Sequence, residues 1–362
     1  MDVITASSES FLRQYLNNAS PTGFESSGQR LWLDYLRPYI DDCKLDNYGT
    51  AYGIINPGKD FRVVIEGHAD EISWFVNYIT DDGFIHVIRN GGSDFLIAPS
   101  MRVWIHLRKG GKVPGVFGWP AIHTRTDKDS TIAPATDNLT IDVGAKDKEE
   151  ILKMGIHVGC VVTFQDEFTV LNDRYYTGRA LDNRMGGFCI AEVARLLKKN
   201  RVKLPYTLYI VNSVQEEVGL RGAQMVADTI RPNVAIVTDV THDTHTPMIS
   251  SKKHGDVRCG NGPSVTYAPA VHQKLLDIII ETAEAKEIPI QREAASRFTG
   301  TDTDAFAYSN GGVPSVLISL PLRYMHTTVE MAHKDDVSNL IRLIYESLRK
   351  IEAHHDFRYF NP

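Results

Sequence analysis

Apolar residues recur at two different spacings in the first part of this chain, and each spacing predicts a different element. Residues 9–19 and about 26–36 repeat apolar side chains every three or four positions, which predicts two helices separated by a break at residues 21–23. Apolar runs of strand length follow at 51–55 and 62–66. Runs without polar alternation are typical of strands that are buried on both faces of a parallel sheet.

The pattern changes at about residue 72. From there to about residue 168, short β-type runs alternate with turns that contain glycine, and only residues 148–152 show a helical period. Many short strands with regular turns are typical of a small barrel or sandwich. The sequence therefore predicts a β-barrel-like domain at residues 72–168, inserted into one α/β domain made of residues 1–71 and 169–362.

Helices and strands alternate again after residue 178. We predict helices at about 182–199, 221–229, 272–286, 304–309 and 337–353, and strands at 206–211, 234–238, 289–292 and 314–318. This alternation predicts an open, mostly parallel sheet with helices on both faces.

Polar side chains that can bind metal ions follow several of the predicted strands. Because the carboxyl ends of parallel strands meet at one edge of a sheet, we expect these side chains to share a crevice there. Carboxylates are costly to bury unless they are paired or bind a metal, and this mixture of oxygen and nitrogen donors suits Zn²⁺, Co²⁺ or Mn²⁺. The candidates are His68, Asp70, Asp182, Glu216, Glu217, Asp239 and His326.

Two ions held close together require a carboxylate that touches both, and Asp182 is the candidate for that position. Asp70 lies two positions after His68, so its carboxylate can accept the second N–H of the imidazole and fix the tautomer. Glu216 and Glu217 are neighbours. On an extended backbone their side chains would point in different directions, which would leave one of them free of metal.

Each of these side chains also has an ordinary structural role open to it. His68 could be a core histidine with satisfied hydrogen bonds, and Asp182 could be the N-cap of a helix. Asp239 could be a polar strand end, and the two adjacent glutamates could form a solvated acidic turn. Only the convergence of all of them at one sheet edge would favour a metal site.

The composition is that of a soluble globular protein, with 43% hydrophobic and 23% charged residues. A net charge of -6 argues against nucleic acid or an anionic membrane as a partner. We find no apolar run long enough to span a bilayer and no signal-peptide pattern in the first residues. The four cysteines are widely scattered and are interpreted as reduced thiols, so we predict a cytoplasmic protein.

Five short motifs, in this order along the chain, resemble the M42 family of dinuclear metallo-aminopeptidases, also called tetrahedral (TET) or glutamyl aminopeptidases. They are Gly67-His68-Ala69-Asp70-Glu71, Ala180-Leu181-Asp182-Asn183-Arg184, Gln215-Glu216-Glu217-Val218-Gly219, Asp239 and Arg323-Tyr324-Met325-His326-Thr327. The resemblance covers essentially the whole chain, including the inserted segment.

The resemblance implies a role for each candidate. Asp182 would bridge two divalent ions, zinc or cobalt. His68 and Asp239 would complete one site, and Glu217 and His326 would complete the other. Glu216 would be the general base and Asp70 would orient His68. The Asp182–Asn183 peptide would be cis.

The resemblance also implies small peptides as substrates and self-association, with dimers formed through the inserted domain and a dodecamer built from them. His123 would either reach a neighbouring active site or be a surface histidine. Basic residues at 252–254, Arg292 and Arg297 could favour an acidic N-terminal residue or could simply be solvated.

The residues leave other functions open. An amidase or deacylase could use the same dinuclear site, and a glucan hydrolase could use paired glutamates, although the metal-type ligands would then have no role. A non-catalytic protein could hold the metals for structure alone, but a free Glu216 argues against that.

Overall fold

A computed structural model describes residues 3–125 and 132–360 of the chain. These residues form an 11-stranded mixed sheet with helices on both faces and a closed barrel of six strands. The α/β fold with an inserted barrel, predicted from the hydrophobic pattern, is confirmed. The helices, numbered along the chain, are α1 (Ala6–Asn17), α2 (Ser26–Leu36), α3 (Lys148–Lys153), α4 (Leu181–Lys199), α5 (Arg221–Ile230), α6 (Ser251–His254), α7 (Gln273–Ala285), α8 (Asp302–Ala307) and α9 (Lys334–Leu348).

The centre of the large sheet is parallel and its flanks are antiparallel. The strands of this sheet are β1 (Asp42–Leu45), β2 (Ala51–Ile55), β3 (Arg62–His68), β10 (Thr169–Leu171), β11 (Tyr175–Gly178), β12 (Thr207–Ser213), β13 (Val234–His242), β14 (Ser264–Tyr267), β15 (Gln291–Ala294), β16 (Ser315–Arg323) and β17 (Glu330–His333). Neighbouring strands β12, β3, β13 and β16 are parallel, whereas β1, β2, β17, β11 and β10 add to the two sides in antiparallel fashion, and β14 joins β15 to β16.

The central strands are apolar because both of their faces are covered. Every residue of β3 after Arg62 is buried, and so are all but one of β12. Helix α4 packs against β3, β12 and β13 on one side and against α1, α2 and α9 on the other, while α5 and α8 pack on one another and on β12, β13 and β16. An added Cβ at Gly186 of α4 would lie 2.5 Å from the hydroxyl of Thr238, so glycine lets α4 lie close to the sheet.

The barrel is a separate closed structure with its own apolar interior. Its strands are joined in the order β4-β5-β8-β7-β6-β9. Side chains alternate along them: Ile85 and Val87 are fully buried, whereas Phe84 and Ile88 are 38% and 40% exposed. Its strands are β4 (Ser73–Ile79), β5 (Phe84–Asn90), β6 (Arg102–His106), β7 (Lys112–Phe117), β8 (Thr140–Asp142) and β9 (Val161–Phe164).

Several boundaries differ from the predictions. Strand β13 continues to His242 and β16 to Arg323, so Asp239 lies inside its strand and does not end it. The short flanking strands β1, β10, β11, β14 and β17 were not predicted, because runs of three or four residues carry too little periodicity. Within the described residues, no helix is both long enough and apolar enough to cross a membrane.

Candidate metal centre

Asp182 lies at the middle of the candidate site, and its two carboxylate oxygens face two different imidazoles. Oδ1 lies 3.2 Å from Nε2 of His68, and Oδ2 lies 3.1 Å from Nε2 of His326. Asp182 is the second residue of α4, and the Asp182–Asn183 peptide is cis, as the resemblance implied. A carboxylate placed in this way can offer one oxygen to each of two cations.

His68 and Asp239 come from adjacent parallel strands. His68 ends β3, and β13 pairs with β3 so that Val237 is opposite Glu66. Two residues further along each strand, Oδ1 of Asp239 lies 3.9 Å from Nε2 of His68. His68, Asp182 and Asp239 are all buried, and their donor atoms lie close enough together to hold one cation.

Glu217 and His326 lie on the other side of Asp182. Oε2 of Glu217 is 3.7 Å from Nε2 of His326, and these two residues with Asp182 form a second group that could hold a cation. The prediction of extended backbone at Glu216 and Glu217 is wrong, since residues Glu216–Val218 form a 3₁₀ turn after Gln215 at a φ of 58°. The turn still separates the two side chains, and Oε2 of Glu216 lies 3.8 Å from Nε2 of His68.

Asp70 contacts more of the site than the sequence indicated. The Nδ1 atom of His68 lies 3.4 Å from its carboxylate and 3.2 Å from its backbone oxygen. The same carboxylate accepts the backbone N–H groups of Glu216 at 3.0 Å and Glu217 at 3.3 Å, and the hydroxyl of Thr22 at 2.9 Å. Asp70 therefore fixes the His68 ring and the turn that carries both glutamates.

The electrostatics of the cluster are dominated by buried negative charge. Burial raises the pKa of Glu216 to about 10, with Asp239, Asp302 and Asp182 adding to the effect against the attraction of His68. Burial raises the pKa values of Glu217 and Asp239 in the same way. Four carboxylates surround the two imidazoles: Asp182, Glu216, Glu217 and Asp239. Within the described ranges, none of these four forms an ion pair with a lysine or arginine.

The neighbouring carboxylates raise the pKa values of both histidines. Burial lowers the pKa of His68, but Glu216, Asp182 and Asp70 together raise it well above its ordinary value. The hydrogen bond to Asp182 raises the pKa of His326 as well. Two imidazoles do not balance four carboxylates, so the cluster favours the binding of additional positive charge.

The geometry fits divalent cations. Donor atoms about 2.1 Å from a tetrahedral ion lie about 3.4 Å from one another. The contacts within the cluster range from 3.1 to 3.9 Å, and the donors are the imidazole nitrogens and carboxylate oxygens that zinc and cobalt accept. The residues present therefore fit a pair of cations that share Asp182.

The structure adds residues that sequence reasoning missed. Glu330 accepts the backbone N–H of Asp182 and that of His326. Beneath His68, the hydroxyl of Ser213 lies 2.5 Å from Glu66 and 2.6 Å from Asp302. A glutamate four positions after a histidine is not a recognisable motif in the sequence. Glu66, Ser213 and Asp302 come from three distant segments, so no local pattern indicates that they meet.

A cavity of about 560 Å³ opens beside Glu216, Glu217 and His326. Its remaining walls come from the turn after β5, from α5 and the loop before it, and from α8 and the loop before it. The basic residues considered for an acidic substrate, at 252–254, Arg292 and Arg297, do not line it. The remaining lining residues are Gly92, Gly219, Leu220, Gln224, Phe298, Gly300, Asp304 and Ala305.

Comparison with known proteins agrees with the motifs. The model of the M42 glutamyl aminopeptidase family matches residues 49–343. The chain belongs to this family. Membership makes it a hydrolase of the aminopeptidase class, and the resemblance drawn from the motifs is confirmed.

Individual M42 relatives match over nearly the whole chain. A lysyl aminopeptidase of Pyrococcus furiosus is 33% identical over 345 residues, 94% of this chain and 96% of the relative. A TET aminopeptidase of a marine sediment archaeon of the Thaumarchaeota superimposes with a TM-score of 0.91 at 29% identity, covering 96% of this chain and 97% of the other. The TET1 peptidase of Pyrococcus horikoshii, described as assembling into a tetrahedron or a large octahedral shell, has a TM-score of 0.83 at 27% identity, covering 94% and 98%.

Proposed function

We propose that this M42 protein is a dinuclear metal-dependent exopeptidase that releases N-terminal residues from small peptides. The observation that carries the proposal is the position of Asp182, whose two oxygens lie 3.2 and 3.1 Å from two separate imidazoles. His68 and Asp239 would hold one divalent ion, Glu217 and His326 the other, and Asp182 both. When bound, such ions polarise a scissile carbonyl and lower the pKa of a water molecule between them.

Side chains outside the proposed ligand set would transfer the proton and position the ligands. Glu216 is proposed as the general base, which takes a proton from the attacking water and returns it to the leaving amine. It is the carboxylate of the cluster that is left outside the proposed ligand set. Burial and the neighbouring carboxylates raise the pKa of Glu216, and cations bound nearby would return it to the ionised form that a base requires.

Asp70 is proposed to orient this machinery. Its position beside Nδ1 of His68 leaves Nε2 to face Asp182 and the proposed ion. Its hydrogen bonds to the backbone of Glu216 and Glu217 hold the base and a ligand on one short turn. The Asp70 carboxylate would thus position both the proposed base, Glu216, and the proposed ligand, Glu217.

Self-association through the barrel is part of the proposal. The related TET1 peptidase is described as assembling into a tetrahedron or a large octahedral shell, and the barrel of this chain exposes apolar side chains on its outer face. Phe84 and Val116 are opposite the same residue, Asp142, from strands on either side of it, and Ile88 lies further along β5. Exposed apolar patches of this kind mark association surfaces. A dimer through the barrel, a dodecamer, a role for His123 at a neighbouring site and a cytoplasmic location stay predictions.

The proposal is tested by substituting the two glutamates separately. Glu216→Gln keeps the shape of the side chain and the proposed ligands, so two ions per chain should remain while turnover falls by roughly 10²–10⁴-fold. Glu217→Gln weakens a proposed ligand, so one ion should be lost or bound more weakly, and added metal should restore part of the turnover. Elemental analysis beside hydrolysis of aminoacyl chromogenic substrates makes both measurements.

The reverse pattern, with metal lost from Glu216→Gln and kept by Glu217→Gln, would show that the two roles are exchanged. The same assays separate the rival functions. Cleavage of N-acyl amino acids without cleavage of free peptides would identify a deacylase, and hydrolysis of soluble glucans that persists in chelator would identify a glucan hydrolase.

A further inference from the structure

One buried carboxylate outside the proposed ligand set touches both backbone segments that present ligands around Asp182. Glu330 is the first residue of β17 and is 2% exposed. Its Oε2 accepts the N–H of Asp182 at 3.1 Å, and its Oε1 accepts the N–H of His326 at 2.8 Å. A single side chain therefore joins the start of α4 to the loop after β16.

Both of these segments have backbone that needs external support. Ala180, the N-cap of α4, has a φ of 61° and provides no side-chain hydrogen bond to the helix. His326 also has a φ of 61°, a left-handed conformation that is unfavourable for residues other than glycine. The backbone angles of Asp182 and Asn183 are not helical, so the N–H of Asp182 lies outside the regular part of α4, and Glu330 supplies an acceptor for it.

Glu330 is itself held in place by the sheet. It pairs with Gly178 of β11, and its backbone oxygen accepts the hydroxyl of Thr177 at 2.9 Å. Its neighbour Met331 pairs with Arg323 at the end of β16. Within the described residues, Glu330 belongs to none of the groups whose donor atoms lie close enough together to hold a cation.

We propose that Glu330 is a positioning residue that sets the separation between Asp182 and His326, and so controls the affinity for the cation held by Glu217 and His326. This inference rests on the proposed function. The two N–H groups need two acceptor oxygens, and only a carboxylate provides both. In Glu330→Gln, the amide NH₂ would face one N–H group, which would release one of the two backbone segments.

The test is a calorimetric titration of the metal-free protein with Zn²⁺. In Glu330→Gln the dissociation constant of one of the two ions should rise by about 10–100-fold, the usual loss when a residue that orients a ligand is removed. Glu192→Gln is the matched control. Glu192 is a fully buried carboxylate on the same helix α4, and it accepts hydrogen bonds from Ser8 at 2.9 Å and Arg195 at 2.7 Å, away from the ligands.

The control should lower thermal stability and leave both zinc affinities unchanged. Equal zinc affinities for Glu330→Gln and the wild type would overturn the inference. So would a Glu330→Gln variant that loses thermal stability without losing zinc affinity, because that is the behaviour of a purely structural residue. If Glu330→Gln does not fold, Glu330→Asp keeps both oxygens but draws them back by one methylene, and unchanged zinc affinity in that variant would equally overturn it.

A wild-type protein that binds no zinc would instead refute the proposed function. The two failures are therefore distinguished by the wild-type titration alone.

Discussion

The turn that leaves the barrel strand β5 contacts the candidate metal centre, and Gly92→Ala tests that contact. A Cβ added at Gly92 would lie 2.8 Å from Nδ1 of His326 and 2.9 Å from its Cε1. Gly92 is exposed and its φ is not in the positive region, so the backbone itself accepts alanine. Apart from the residues adjacent to Gly92 in the chain, the three described heavy atoms nearest to the new methyl all belong to the His326 ring.

The size of the effect follows from these distances. Ordinary contact begins at 3.4 Å, so the ring must move by about 0.6 Å to relieve the 2.8 Å approach that the added Cβ would make. Ligand distances at metal sites normally fall within about 0.2 Å of their standard values, so a shift of this size is large for a ligand. The affinity for the cation at His326 should therefore fall by about 10–100-fold, or about 1.4–2.7 kcal/mol. Thermal stability of the metal-free protein should change by no more than about 0.5 kcal/mol, as for other surface substitutions.

The assay is zinc titration by calorimetry, with thermal unfolding of the metal-free protein beside it. Gly118→Ala is the control, because Gly118 is also in the barrel segment and an added Cβ there would meet only the backbone oxygen of Thr140, at 4.0 Å. If Gly92→Ala binds both ions with wild-type affinity, His326 either adapts without cost or is not a ligand, and the reasoning is refuted.

Three further outcomes are expected. Although burial raises the pKa of Asp243, the Arg323 guanidinium 2.7 Å away and two backbone N–H groups hold it below its ordinary value. This stabilisation is present above about pH 4 and is lost as the pH falls, so the loss of thermal stability in Asp243→Asn, measured by calorimetry, should be largest near neutral pH and shrink in acid. Ile88→Glu on the outer face of the barrel should lower the mass measured by light scattering and leave metal content unchanged; an unchanged mass would remove this face from the interface. Because no lysine or arginine of the described residues lines the cavity of about 560 Å³ beside Glu216 and Glu217, aminoacyl substrates with apolar side chains should be cleaved with higher kcat/KM than glutamyl ones, and a preference for glutamyl would contradict this.

Much of the framework follows from the sequence alone. The long apolar runs of β3 and β12 and the helical period of α4 were predicted to within a few residues, because elements buried on both faces carry dense apolar patterns. The inserted barrel was visible as a change of period near residue 72. The candidate ligands were found because most of them lie at or just beyond the carboxyl ends of strands that meet at one sheet edge, although Asp239 lies within β13 and Asp182 lies at the start of α4.

Other features were decided only by the tertiary structure. Two backbone N–H groups of the turn at Glu216–Val218 donate to the carboxylate of Asp70, which follows a strand, β3, that is distant in sequence. Glu330 comes from β17 and Gly92 from the barrel segment, and both contact the site. Each is a single residue with no periodic pattern around it. The chemistry of the ligands is local and can be read from motifs. Their separation is set by contacts between distant segments, and single contacts of that kind leave no repeating pattern in the sequence.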